Sequence, residues 1–218
     1  MILLIVPSRG RPHNAVELIK TWQSTTEGKS ELRFYVDDDD PTALRYPAEF
    51  TTVGEPGRLV GITNRIAVAN VNYYTMFGSI GDDHRFESPG WETKLLKGLD
   101  KLGGRGVLYG DDGVHGQNLC TAFFMSTNIV KALGYMIYPS LEHLYADNFA
   151  LELGKAMGKL KYLSDVKITH YHPIAKKAEW DTTYDIGNNA DVWARDGAAF
   201  DYWKRNLKEL DAKKAWNS

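Results

Sequence analysis

Apolar residues in the first part of the chain form short continuous runs, separated by polar segments that contain proline or glycine. The run from Ile2 to Val6 is rich in β-branched residues and is followed by Pro7, which is typical of a strand buried on both faces. Between the runs, apolar residues recur at every third or fourth position, as they do on one face of a helix. The pattern predicts strands at 2–6, 32–36, 50–53 and 74–80. It also predicts one helix that begins at Asn14 and another that covers 60–74.

The second half of the chain is less regular, but the same two periodicities are present. They predict helices at 91–101, 127–133, 145–157 and 198–214, and strands at 107–109, 121–125 and 163–169. Residues 174–197 contain few apolar repeats, so we expect them to form a loop. Strands that alternate with helices predict an α/β fold: one domain over residues 1–218, with a mostly parallel central sheet flanked by helices.

Polar residues follow three of the predicted strands at the point where each strand ends. Ser8 and Arg9 follow the first strand, the aspartates 37–40 follow the second, and residues 82–84 follow the fourth. Ligands of parallel α/β sheets bind beyond the carboxyl ends of the strands. We therefore expect these three segments to lie at one ligand-binding site.

Asp82 and His84 are the residues at these strand ends that are best suited to bind a metal ion. Alternate residues of an extended segment point to the same side, so both side chains can reach one cation. A carboxylate with a neutral imidazole suits Mn²⁺, and Mg²⁺ and Zn²⁺ are also compatible. The alternative is that Asp82 caps a solvated turn and that His84 lies on the surface.

The overall composition limits the classes of function. A net charge of −2 does not indicate a nucleic-acid or membrane partner, because such partners favour an excess of basic residues. Cys120 is the only cysteine, so an internal disulfide is excluded and a cytoplasmic location is expected. The apolar start at 1–6 is too short for a signal peptide or for a membrane span, which needs about 20 apolar residues.

Asp82, His84, Gly90 and Trp91 resemble, in type and spacing, the Asp-x-His and Gly-Trp motif of polypeptide N-acetylgalactosaminyltransferases. The segment 146–152 is similar to the acidic segment that this family places near the donor sugar. The stretch 81–91 also resembles small glycosyltransferases encoded by bacteriophages, some of which act on hydroxymethylated pyrimidines in DNA. The first family is larger, retaining and usually carries a lectin domain, so its stereochemistry cannot be transferred to this chain.

The resemblance implies a GT-A (Rossmann-like) fold with a donor half at 1–90, an acceptor half at 91–197 and a C-terminal helix at 198–218. It also implies a Mn²⁺ (or Mg²⁺) ion and a nucleotide-diphosphate sugar as donor, which we expect to be UDP-linked. The Pro-x-Arg end of the first strand and the aspartate run after the second also resemble the large inverting GT-A families, in which these strand ends contact the base and the ribose. The donor-binding residues implied in this chain are Pro7, Ser8, Arg9, Asp38, Asp39, Arg65, Asp82 and Asp83.

Two further roles follow from the resemblance. Enzymes of this fold often supply a late histidine to the metal, which implies His170 or His172, and we favour His172 beside Asp82 and His84. A pair of half-buried structural histidines is the alternative. Asp147 is the expected catalytic carboxylate, as a base in an inverting reaction or as a stabiliser of the donor sugar in a retaining one. Its alternative role is a helix N-terminal carboxylate that interacts with the helix dipole.

The sequence therefore predicts a metal-dependent hexosyltransferase or N-acetylhexosaminyltransferase that acts on a hydroxyl group. The acceptor could be a hydroxymethylated pyrimidine in phage DNA, which would imply the host cytoplasm, or a glycan or small molecule. A nucleotidyltransferase is less compatible, because residues 7–12 lack the glycine-rich, lysine-containing phosphate loop. A non-catalytic module that binds nucleotide sugars is the remaining alternative.

Overall fold

A sheet with helices on both faces forms the fold, as seen in a computed structural model that describes residues 1–171, 185, 187 and 189–217. The strands are β1 (Ile2–Ser8), β2 (Ser30–Asp37), β3 (Thr51–Gly54), β4 (Met76–Ser79), β5 (His84–Phe86), β6 (Val107–Asp111), β7 (Phe123–Ser126) and β8 (Leu160–His170). The helices are α1 (Pro12–Thr25), α2 (Arg58–Ala69), α3 (Trp91–Lys101), α4 (Thr127–Leu133), α5 (Ala146–Ala156), α6 (Ala190–Asn206) and α7 (Lys208–Asn217).

The spatial order of the strands is β3-β2-β1-β4-β7-β6-β8-β5. Strands β1 to β4 are parallel to one another, and β6 and β8 run in the same direction as they do. Strands β7 and β5 run in the opposite direction. The predicted α/β fold with a mostly parallel sheet is therefore confirmed, and the carboxyl ends of β1, β2 and β4 lie at one edge of the sheet.

Strand β1 is continuously apolar because both faces of the sheet are covered at its position. Leu3 and Ile5 belong to a core that includes residues of α2, α4, α5, α6 and α7. Ile2, Leu4 and Val6 belong to a second core that includes residues of α1 and α3. All five side chains are at most 2% exposed, and burial of each stabilises the fold by about 1.5–3 kcal/mol.

The structure corrects three predicted boundaries. The helix predicted at 60–74 ends at Ala69, and Tyr73, which lies beyond this end, is 75% exposed. The C-terminal helix predicted at 198–214 is two helices, α6 and α7, which separate at Leu207. Residues 190–197, expected in a loop, form the first part of α6, while the other residues of that predicted loop lie largely outside the described residues.

A buried carboxylate, that of Asp196, interrupts the apolar repeat of α6. Its buried residues are Val192, Asp196, Phe200 and Trp203, which follow helical spacing. Asp196 therefore occupies a buried position at which the pattern of an amphipathic helix predicts an apolar residue. Among the described residues, α6 and the other helices are too short or too polar to cross a membrane.

The start of α3 fixes the position of β5. Gly90 precedes the helix with a φ of 72°, a left-handed conformation that glycine adopts without strain. Trp91 follows and is fully buried, with its ring 4.6 Å from that of Phe86 in β5 and 5.9 Å from that of Phe124 in β7. This packing holds β5, whose first residue is His84, against the core.

A buried carboxylate of α3 holds the turn between α1 and β2. Glu92 is fully buried and accepts hydrogen bonds from the Thr26 hydroxyl at 2.7 Å and from the backbone N–H of Glu27 at 2.6 Å. The N–H of Lys29, at 3.2 Å, and the hydroxyl of Ser30 also donate to it. These donors replace the water that an ionised carboxylate loses on burial.

We expect Glu92→Gln to lower the free energy of unfolding by about 1–3 kcal/mol, because the amide places an NH₂ group against N–H donors. Urea denaturation measures this loss as a lower transition midpoint. Glu17→Gln is the control, since Glu17 is exposed on α1 and pairs only with Lys20 in the described contacts. Unfolding of Glu92→Gln at the wild-type midpoint would show that the carboxylate adds nothing to stability.

Candidate functional site

The carboxyl ends of β1, β2 and β4 border one cavity of about 720 Å³. Residues near the start of α5 and at the end of β8 also line it. The polar lining residues at the strand ends include Ser8, Arg9, Asp37, Asp39, Asp82, Asp83 and His84, and the others include His143, Tyr145, Asp147 and His170. The three polar segments that the sequence analysis grouped thus lie at one site.

Residues 81–84 form a turn rather than an extended strand end. The backbone N–H of His84 donates to the carbonyl oxygen of Gly81 at 3.1 Å, which closes the turn between β4 and β5. The alternation expected for an extended segment therefore does not apply to Asp82 and His84. Asp83 is the carboxylate beside the His84 imidazole, with 3.4 Å between Asp83 Oδ1 and His84 Nδ1.

Asp83, His84 and His170 form a group that could hold a metal ion, each offering a ligand atom within 4.8 Å of the others. Pairing of β5 with β8 sets His84 opposite His170, and the two imidazole rings stack at 4.3 Å. His170 Nε2 lies 3.2 Å from Asp83 Oδ2. Among the described residues His84 Nε2 is buried and has no hydrogen-bond partner, so it is available to a cation. His172, the favoured third ligand, lies outside the described residues, so that assignment stays a prediction.

These three groups shift one another's pKa. Burial raises the pKa of the Asp83 carboxyl, but His170 and His84 outweigh it and hold that pKa well below its usual range. Burial, assisted by His170, lowers the pKa of His84. Burial also lowers the pKa of His170, yet Asp83 outweighs it and the net shift is upward. An ionised Asp83 and a neutral His84 imidazole result near neutral pH, and these are forms that bind divalent metals. The upward shift of the His170 pKa favours an imidazolium, which must lose its proton before it can bind a metal.

Asp82 is not part of this group, and it joins the turn to the end of β1 and to α1. Its carboxylate accepts from the Ser8 hydroxyl and from Asn14 Nδ2 at 3.3 Å, and Arg11 Nη1 lies 3.5 Å away. Burial, followed by the charge of Asp83, raises the pKa of Asp82 to about 6 in spite of these contacts. In this geometry Asp82 supports the turn, and its assignment to the metal stays a prediction.

The four aspartates that follow β2 have different surroundings. Asp37 and Asp39 both pair with Arg9, and all three line the cavity. Asp40 is buried and accepts from the N–H groups of Gly10 and Thr42, so it fixes the backbone of two loops. Asp38 is exposed and does not line the cavity.

Arg65 lies beside the cavity rather than in it. Its guanidinium donates to the carbonyl oxygen of Glu55 at 2.9 Å, and the residue borders a smaller neighbouring groove that Asp37 also lines. Of the eight residues expected to bind the donor, Asp38 and Arg65 are the two that do not line the main cavity.

Asp147 lies in the first turn of α5 and lines the cavity from the side opposite β1. Its Oδ1 accepts from the N–H of Asn148 at 2.8 Å. Burial raises the pKa of the Asp147 carboxyl in spite of this hydrogen bond. Asp147 is half-buried, and a carboxylate with a raised pKa is a stronger base than an ordinary one, which suits proton abstraction.

Several lining residues carry no clear local signal in the sequence. Arg11 is buried beside Asp82, although its position between glycine and proline is typical of a loop. Arg58 and Tyr145 are the non-glycine residues with positive φ in the described part of the chain, at 49° and 64°, and both line the cavity. Such backbone conformations depend on tertiary contacts and cluster at functional sites.

The side chains of Asp83 and His84 occupy the space beside Gly81 that a larger residue would need. A Cβ atom at this position would lie 2.5 Å from Asp83 Oδ1 and 3.0 Å from His84 Nδ1. We expect Gly81→Ala to displace both side chains and to weaken Mn²⁺ binding by about 10-fold or more, as measured by isothermal titration calorimetry. Gly61→Ala in α2 is the control, because its Cβ meets nothing within 4 Å. Equal Mn²⁺ affinity in the two variants would contradict this metal site.

No protein-family profile matches the sequence, and no curated protein matches it. Solved structures nevertheless share its architecture. TarS 1–349 from S. aureus in complex with UDP superposes with a TM-score of 0.59 at 12% identity, over 99% of this chain and 69% of that chain. The mannosyltransferase PcManGT from Pyrobaculum calidifontis, in complex with GDP-Man and Mn²⁺, gives 0.55 at 12% identity, over 98% of this chain and 72% of that chain.

A longer structure of S. aureus TarS gives a TM-score of 0.54 at 11% identity, and this chain spans 42% of its length. Similarity at such identities establishes the fold and leaves the activity open. The order and direction of the strands, together with these superpositions, show that the chain has a GT-A fold.

Proposed function

We propose that the protein is a metal-dependent glycosyltransferase that moves a sugar from a nucleotide-diphosphate sugar to a hydroxyl group. The observation that carries the proposal is that the group of Asp83, His84 and His170 lines the same cavity as Asp147 in a GT-A fold. Structures of this fold bound to UDP, or to GDP-Man with Mn²⁺, support the donor class. We infer a UDP-linked hexose or N-acetylhexosamine.

Asp83, His84 and His170 would hold the Mn²⁺ or Mg²⁺ ion. Their chemistry fits, since imidazole together with carboxylate favours Mn²⁺ over Mg²⁺, and the buried Nε2 of His84 is available. The bound ion would neutralise the negative charge that develops on the diphosphate leaving group. Asp82 would keep the 81–84 turn in place through Ser8 and Arg11.

The ends of β1 and β2 would bind the nucleotide. Asp39 lines the cavity with a side chain that is 59% exposed, so it can accept a hydrogen bond from a base N–H or a ribose hydroxyl. Arg9 holds Asp39 and Asp37 in one orientation, which reduces the entropy lost on binding. Asp38 and Arg65 lie outside the cavity lining, so we give them no direct contact with the donor.

Asp147 would act on the acceptor. In an inverting reaction, the acceptor oxygen attacks the anomeric carbon, its proton passes to the Asp147 carboxylate, and the bond between that carbon and the diphosphate oxygen breaks. In a retaining reaction, the same carboxylate would stabilise positive charge on the sugar. The anomeric configuration of the product distinguishes the two.

The purified protein is expected to release UDP from a UDP-sugar when Mn²⁺ is present, and EDTA should abolish this release. Asp83→Asn and His84→Ala should each lower kcat/KM by at least about 100-fold, because each removes a metal ligand. His13→Ala is the control for the histidine replacement, since His13 is exposed and does not line the cavity.

Coupled detection of UDP measures these rates. Equal rates with EDTA and with Mn²⁺ would rule out metal dependence. Tight UDP binding without turnover of any nucleotide sugar would instead identify a non-catalytic binding module.

We propose a hydroxymethylated pyrimidine in phage DNA as the acceptor, in which case the reaction takes place in the host cytoplasm. Trp193 is 49% exposed and meets the ring of Tyr145, which lines the cavity, edge to face, so the exposed Trp193 ring offers a surface near the cavity on which a base can stack. A net charge of −2 favours a weak, transient association with DNA.

An oligonucleotide that contains hydroxymethylcytosine should gain the mass of one sugar, whereas its unmodified counterpart should not. Trp193→Ala should raise KM for the oligonucleotide about 10-fold, because it removes a stacking surface, while Trp216→Ala, an equally exposed tryptophan on α7, should not. Mass spectrometry and steady-state kinetics check both results. Transfer to a glycan but not to either oligonucleotide would refute the DNA acceptor.

A further inference from the structure

Helix α6 holds the backbone that leads into Asp147. Asp196 in α6 is fully buried, and its Oδ2 accepts from the N–H groups of His143 at 2.9 Å and Leu144 at 2.8 Å. The N–H of Glu142 lies 3.3 Å from both carboxylate oxygens. One carboxylate therefore binds the N–H groups of three consecutive residues, which we call the 142–144 segment.

Tyr145, which follows this segment, is also held by α6. Its φ of 64° is a conformation that a bulky residue keeps only when its surroundings maintain it. The ring stacks on Phe200 at 5.2 Å and meets Trp193 edge to face at 5.7 Å. A Cβ atom on Gly197 would lie at van der Waals distance, 3.4 Å, from the Tyr145 hydroxyl, so this part of α6 also borders the ring.

The 142–144 segment is fixed on its other side by α2. The carbonyl oxygen of Glu142 accepts from the N–H of Val60 at 3.1 Å. The Glu142 carboxylate pairs with Arg58 of α2 and with Arg195 of α6, each at 2.9 Å. Arg58 and Val60 both belong to α2, so the segment is held between α2 and α6.

The direction of Asp147 depends on this backbone. The polar contact described for its carboxylate is with the N–H of the next residue, Asn148, which does not orient it toward the cavity. Tyr145 is the residue before α5, and its carbonyl oxygen accepts from the N–H of Phe149 at 2.8 Å. Displacement of the 142–144 segment would therefore move the first turn of α5 together with Asp147.

We propose that Asp196 is a positioning residue that holds the 142–144 segment and thereby sets Asp147, and with it His143, toward the reacting atoms. The proposal rests on the proposed function, in which Asp147 is the base. Asp196 touches neither donor nor acceptor, so its loss should slow the chemical step without weakening the nucleotide site. A displacement of about 1 Å in a reacting group can cost about 100-fold in rate.

The test compares Asp196→Asn and Asp196→Ala with Glu92→Gln in the full chain. Glu92 is an equally buried carboxylate that binds backbone N–H groups, but it holds a turn remote from the cavity. We expect Asp196→Asn to lower kcat for the UDP-sugar by about 10- to 100-fold, with the Kd for UDP and Mn²⁺ changed by less than about twofold. Glu92→Gln should lose thermal stability to a similar extent and keep its kcat.

Hydrogen exchange of the amides in the 142–144 segment provides a readout that does not depend on activity. It should accelerate in Asp196→Asn and stay unchanged in Glu92→Gln. Unchanged exchange, or an equal kcat in Asp196→Asn and Glu92→Gln, would overturn the positioning role. A wild-type protein that turns over no nucleotide sugar would refute the proposed function, and the exchange experiment would then decide alone whether Asp196 holds the segment.

Discussion

Buried carboxylates hold the cavity together, because an ionised group removed from water must be met by N–H or O–H donors or by a positive charge. Asp82 connects the turn after β4 to the end of β1 through Ser8 and to α1 through Asn14. Asp83, the next residue, connects the same turn to β8 through His170. Two adjacent aspartates thus connect the turn after β4 to strand β1 on one side and to strand β8 on the other.

A third buried carboxylate, that of Asp196, fixes the part of the cavity that precedes α5. Asp196 fixes the 142–144 segment, and therefore α5, relative to the rest of the cavity. The lining combines the carboxylates of Asp37, Asp39, Asp82, Asp83 and Asp147 with the guanidinium groups of Arg9, Arg11 and Arg58. Such a mixture suits a ligand that carries both a divalent cation and an anionic diphosphate.

The comparison structures share the fold at 11–12% identity, which shows how little of the sequence the fold requires. The sheet needs apolar residues of suitable size on both faces, and many sequences provide them. The choice of donor and acceptor depends on the side chains that line the cavity, such as Asp39 and Tyr145. The identity of the substrates therefore depends on these lining positions rather than on the fold.

The sequence by itself determined the α/β fold and the strand ends that carry polar residues, because burial on both faces demands continuous apolar runs such as β1. It also singled out His84 and Asp147. Tertiary structure decided that Asp83 rather than Asp82 lies beside His84, since a turn replaces the extended segment, and that β8 brings His170 to the same group. It also showed that Asp196, which lies among the buried apolar residues of α6, binds the 142–144 segment. Local periodicity reports which face of one element is buried, whereas the pairing of distant strands and the direction of side chains at a turn depend on contacts between elements.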